Sequence, residues 1–304
     1  MVPILTRQRR DADADGQRAS GCRSGGSGVR QGRGLLPGRG AWWWHALAAV
    51  LFLGCALWAM RVILPAPAST FPLPSGLPPD WQRISQSDQK LSAANITWNA
   101  HRFLTRPWNL YDAGQCYPAS NAATLGPHQL GEGLLGVLPY ALTTDPVITY
   151  NTVAVLTLWL PALAMYALVF AFTGSVSGAF IAGLLFAFHP NRITNVIHPD
   201  VNGNHWTPLA LLFAHRTFVS GRWRDAAGLT FFLALQVLGS IYQLLALAVL
   251  GGTYGIFLTV WNVRRLPVLA PKLAVAIGAT ALVAWMVLGP YLHTRATWGT
   301  LGGR

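Results

Sequence analysis

The chain has 304 residues, 52% of them hydrophobic and only 11% charged, with 13 Trp and 20 Pro. Soluble domains carry charge on about a quarter of their residues, so this composition excludes an ordinary soluble fold and describes a polytopic membrane protein built of helices. The formal net charge of +12 points to no nucleic-acid partner: eight of the 22 basic residues lie in positions 1–40, and most others flank apolar stretches, where Lys and Arg report topology.

Residues 1–40 are rich in Gly, Arg and Ser and hold no aromatic residue, which predicts a disordered cytoplasmic tail. The apolar run 41–64 follows and opens on Trp42, Trp43 and Trp44, an interfacial anchor for a first membrane span. No small-residue cleavage site follows it, so a retained signal anchor is expected. Residues 65–146 then form a large extracytoplasmic loop. Its start is Pro-rich and extended, and from Ser87 to Leu104 the recurrence of Leu91, Ile96, Trp98 and Phe103 predicts a helix lying along the membrane, capped by Ser87. Residues 133–142 are too short to cross.

Residues 147–304 read as a transmembrane helical bundle. Apolar stretches at 147–172 (with Pro161), 176–188, 206–219, 226–261 (broken near Gly239 and Ser240) and 273–292 give, with the first span, about seven crossings. In that arrangement the basic loops around Arg222 and Arg264 join the N-terminal tail in the cytoplasm. The expected fold class is therefore all-α, a bundle of about seven spans with surface helices in the first extracytoplasmic loop. The three cysteines, Cys22, Cys55 and Cys116, imply neither a disulfide framework nor a metal site.

Seven acids follow residue 40, and six of them (Asp80, Asp88, Asp112, Glu132, Asp145 and Asp200) fall outside in this topology, together with His101, His128, His189, His198, His205 and His293. Asp88 is either a solvated acid at a helix start or a general base at the membrane surface. Asp112, followed by Gly114, reads as a turn carboxylate. Glu132 is the only Glu in the chain and sits in "LGEGLL", where an acid beside the membrane is costly unless paired or used. His198, Asp200 and His205 in "HPDVNGNH" are polar loop residues near a substrate site or ligands of a divalent ion, although their spacing matches no strong metal signature.

The segments "DQKLSAANITWNAHRFLTRPWNLYDAGQCYP", "HQLGEGLLGVLPYALTTDPVITYN" and "GLLFAFHPNRITNVIHPDVNGNHWTPLALLFAHR" resemble the GT-C superfamily of integral-membrane glycosyltransferases, in its bacterial, uncharacterised branch, over roughly residues 80–295. The resemblance implies a multi-pass enzyme of the bacterial cytoplasmic membrane that takes a sugar from a polyprenyl-phosphate donor. The sugar would pass to a lipid or glycan acceptor at the extracytoplasmic face. It implies Asp88 as the catalytic carboxylate, acting as general base or assisting a divalent cation (Mg or Mn). Substrate contacts are then expected from Lys90, His101, Arg102, Asp112, Glu132, Arg192, His198, Asp200 and His205, the cations stabilising the departing phosphate. Members of that superfamily generally continue through further spans, so the resemblance also implies a C-terminally shortened member. The contrasting class is a non-catalytic polytopic protein: a lipid-linked sugar flippase, a transporter, a cell-envelope assembly factor or an inactive fragment. A transporter would show internal repeats and mid-span charge, and neither is visible here.

Overall fold

A computed structural model describes residues 42–72, 78–114, 120–239 and 241–298. The Arg-rich tail 1–40, Cys22 and Cys116 lie outside the described residues. Among the described residues the chain is helical without strands, its α-helices being α1 (Trp42–Ala59), α2 (Pro79–Thr105), α3 (Leu130–Thr143), α4 (Pro146–Thr173), α5 (Val176–Ala187), α6 (Pro190–Thr194), α7 (Thr207–Ser220), α8 (Trp223–Leu238), α9 (Ile241–Trp261) and α10 (Leu266–Trp298). All-α architecture in a membrane-embedded chain is thus what the sequence composition demands.

Helix ends follow local chemistry. Pro79 occupies the first helical position of α2, where a missing N–H costs nothing, so the helix starts well before the expected cap at Ser87. Asp88 therefore lies inside α2 rather than at its start, which corrects the sequence expectation. Asp145 caps α4, its carboxylate accepting from the amides of Val147 and Ile148 at 2.8 Å each, and Pro146 follows it. Gly174 and Gly221, at φ +67° and +65°, end α4 and α7 in the left-handed conformation that glycine adopts without strain. Arg265 donates to the carbonyls of Phe218 and Val219 at 3.0 and 2.7 Å, satisfying the end of α7 from the turn just before α10.

Among the described residues, four helices are long and apolar enough to cross a membrane: 42–59, 146–173, 242–261 and 263–297. α5, at 12 residues, is apolar but about 18 Å long, well short of a hydrocarbon core of about 30 Å. α4 is the central element, with 56% of its most apolar window buried against 11% for α9 and for α10. It packs against α1, α2, α3, α5 and α7. Close approach is possible because facing residues are small: Ala48, Ala162, Ala179 and Ala187 are buried around Phe52 and Tyr166. Gly183 of α5 sits so near that an added Cβ would lie 2.6 Å from the Phe52 ring and 2.8 Å from the Ala162 carbonyl oxygen. The two surfaces of α9 and α10 instead expose Leu245, Val249, Phe257, Val275, Leu282 and Trp285, as lipid-facing helices do.

Candidate functional site

One face of α2 is polar where it meets the protein interior. Gln89, Ser92, Asn95 and Asn99 recur at helical spacing and are all buried. The Gln89 amide donates to the Pro72 carbonyl. Asn99 Nδ2 donates to the carbonyls of His128 and Gln129 at 2.7 and 3.2 Å, and Gln129 Nε2 donates to Ser92 Oγ at 2.9 Å. These bonds clamp the entry to α3, where Gln129 holds a left-handed backbone at φ +48°. Such a conformation costs a non-glycine residue about 1 kcal/mol or more and persists where neighbours fix it. Glu132 follows in the first turn of α3 and is fully buried.

The second wall is the 188–206 loop, bound by its own polar groups. Arg192 Nη1 donates to the carbonyls of Asn202 (3.0 Å) and Thr157 (3.3 Å), and Asn202 Nδ2 returns to the carbonyls of Arg192 and Asn195 at 3.1 Å each. Gln236 of α8 donates to the Gly203 carbonyl at 2.8 Å and accepts from Thr207 Oγ1 at 3.2 Å. Tyr150 of α4 donates to the Ile197 carbonyl at 2.6 Å, and the Gln243 amide of α9 reaches the Val201 carbonyl.

The two walls meet at Gly203. A Cβ there would lie 2.4 Å from Glu132 Oε1 and 3.3 and 3.4 Å from the carbonyl oxygens of Asp200 and Pro199, so only glycine admits the carboxyl group. Burial, and then the Asp200 charge, raise the Glu132 carboxyl to about 8, offset in part by its own backbone N–H. That N–H makes no hydrogen bond of normal geometry to it: both carboxyl oxygens are without a partner among the described residues, as are Gln129 Oε1 and Asn99 Oδ1. Asp200 is raised by burial and held back by His198, by the backbone N–H groups of Asp200 and Val201, and by Gln129.

Burial disfavours the charged form of two histidines around this chamber, His128 and His205. Burial pushes His128 down to about 4 while its Nδ1 accepts from the Leu130 amide at 3.3 Å. Burial and then Arg192 push His205 down to about 3, and neither of its ring nitrogens has a hydrogen-bond partner among the described residues.

Of the expected site residues, Glu132, Asp200, His205 and Arg192 are enclosed here, and His198 is half-buried beside them. Arg192 is not available to a phosphate, since the residue is 3% exposed and its guanidinium is bonded to carbonyls and stacked over Phe186 at 5.2 Å. Asp88 and Lys90 are exposed and take no part in the chamber. His101 Nδ1 pairs with the Tyr140 hydroxyl at 3.2 Å, and Arg102 lies 4.1 Å over the Trp98 ring. Asp112 accepts from the Asn121 amide at 2.8 Å, in keeping with its reading as a turn carboxylate.

Sequence reasoning missed Gln129, Asn99 and Gln236, because amides carry no charge to attract notice. The spacing of Gln89, Ser92, Asn95 and Asn99 on one face of a helix was the signal that would have found the first wall. Among the described residues no three His, Cys, Asp or Glu side chains gather as a metal cluster. What the chamber offers is hard oxygen acceptors. Set against known proteins, the chain matches no family model, no curated protein and no solved structure.

Proposed function

We propose that this chain is a GT-C-like integral-membrane glycosyltransferase that uses a polyprenyl-phosphate-linked sugar at the extracytoplasmic face of a bacterial cytoplasmic membrane. In this reading the N-terminus is cytoplasmic, and α5, α7 and α8 join the four long helices to make about seven spans. A lipid or glycan hydroxyl attacks the anomeric carbon, Asp88 takes its proton, and the departing phosphate meets Lys90 or Arg106. A divalent cation beside Asp88 would add charge stabilisation to that departure.

The observation that carries this reading is the pairing of an open and a closed polar face on α2. The inner face is committed to the fold, while Asp88 and Lys90 stand exposed on the helix that follows the first span. An exposed carboxylate next to a membrane surface can reach a lipid-borne substrate. The enclosure of Glu132 favours a second reading, a non-catalytic polytopic protein such as a lipid-linked sugar flippase, since buried acids near the membrane also mark translocation paths.

The test is transfer of label from polyprenyl-phosphate sugars in membranes containing the full chain. Asp88→Asn should lower transfer by about a hundredfold or more, the contribution of one general base. Equal turnover in both proteins would remove Asp88 from the mechanism. Donor crossing the bilayer without transfer would establish the second reading.

A further inference from the structure

Amide side chains normally present a donor and an acceptor together, and their orientation is ambiguous unless the partners fix it. Here they do. Asn99 Nδ2 faces two carbonyl oxygens, and Gln129 Nε2 faces Ser92 Oγ and the Asp200 carboxylate. The nitrogen ends are therefore assigned, and the unpartnered atoms are oxygens. Gln129 is 1% exposed, its amide meets Asp200 through the nitrogen, and its Oε1 is without a partner among the described residues.

Glu132 Oε1 stands against Gly203 with the Asp200 and Pro199 carbonyl oxygens turned to the same spot. Neither Glu132 nor Asp200 has an ion-pair partner: the ion pair found among the described residues joins Arg216 to Asp225. Arg192, the nearest buried guanidinium in this loop, is spent on carbonyls. The Glu132 carboxyl group, buried with no matching donor among the described residues, is unfavourable unless something positive completes it. One proton would satisfy one Glu132 oxygen and leave the other without a donor. Water would bring donors without balancing the charge that an ionised Glu132 adds beside Asp200. A hard dication does both, since Mg2+ and Ca2+ take carboxylate, amide and backbone oxygens together with retained water.

We propose that Glu132 and Asp200 bind a hard divalent cation of the Mg2+ or Ca2+ class between the start of α3 and the 188–206 loop. This site is separate from Asp88 and holds the two walls of the chamber together. Its cation ties α3 to a loop some seventy residues later, as a clip closing a long loop does.

Full-length protein in detergent micelles, stripped with EDTA, is titrated with Mn2+ while the free-ion EPR signal is followed. One saturable Mn2+ that Ca2+ or Mg2+ displaces is expected, together with a rise in the thermal unfolding midpoint when Ca2+ is added. Glu132→Gln and Asp200→Asn should each weaken Mn2+ binding about tenfold or more, while Asp80→Asn, an exposed acid on α2, should bind as the wild type does. If the Gln variant does not fold, the wild-type titration decides alone. No saturable binding by the wild type at millimolar Mn2+ overturns the proposal. So does binding that both chamber variants retain.

Discussion

His205 shows how much a single enclosed ring fixes about pH behaviour. Its folded pKa lies near 3 against an ordinary 6.5, because burial and then Arg192 disfavour the imidazolium. Between those values the unfolded chain holds a proton that the folded chain refuses. The stability from this group is therefore complete above pH 6.5 and is lost as pH falls toward 3. His205→Phe, which cannot titrate, should narrow its stability difference from wild type steadily as pH drops from 6.5 to 4.5, read by thermal unfolding in detergent. A difference that stays constant with pH would show that His205 is not held neutral. None of this was legible in "HPDVNGNH", where His205 looked like a polar loop residue. What seals the ring is the edge-on contact with Trp206 at 4.6 Å and the closure of the loop by Gln236, and that contact partner lies thirty-odd positions away.

At the scale of elements, the sequence was readable wherever punctuation was local. The break near Gly239 separates α8 from α9, and the turn at Gly174 separates α4 from α5, as turn chemistry requires. Sequence and structure part at α2, where Ser87 offers a cap but the helix starts at Pro79, because a proline at the first helical position is already shaped for the helix. Packing distance was not readable at all. Gly183 reads as any small residue in an apolar run, yet it sets the approach of α5 to α1 and α4. Gly183→Ala is expected to destabilise the chain by about 1–3 kcal/mol through overpacking against Phe52 and the Ala162 carbonyl. Chemical unfolding of the two proteins side by side measures it, and a neutral result would mean that α5 can slide without penalty. Gly174→Ala makes a useful contrast, because a Cβ there meets open space and the penalty is only the left-handed backbone at φ +67°.

For the whole molecule, composition alone predicted a membrane protein, and the burial pattern divides the helices into a packed centre and an apolar exterior. α4 is enclosed, whereas α9 and α10 show large apolar side chains outward along their length. In a cysteine-free background, Leu282→Cys on α10 should resist a membrane-impermeant maleimide in intact membranes, and Gln86→Cys on α2 should react. Labelling of residue 282 in unpermeabilised, detergent-free vesicles would place α10 against water instead of lipid. The meeting of Glu132 with Gly203 and Asp200 was beyond sequence reading for a related reason. Period and charge describe one segment at a time, and this contact joins two segments through α4, α5 and α6.

That separation along the chain has a consequence in time. A ribosome adding about 5–20 residues per second needs roughly 4–14 seconds to pass from Glu132 to Gly203. Throughout that interval the start of α3 has been made and the wall that encloses it has not. The sole glutamate thus leaves the ribosome long before its shelter exists, and Gln236, which fastens the Gly203 carbonyl, comes later still. A nascent chain of this sequence must keep its costliest acid in water, or in the care of the insertion machinery, until α8 has been synthesised.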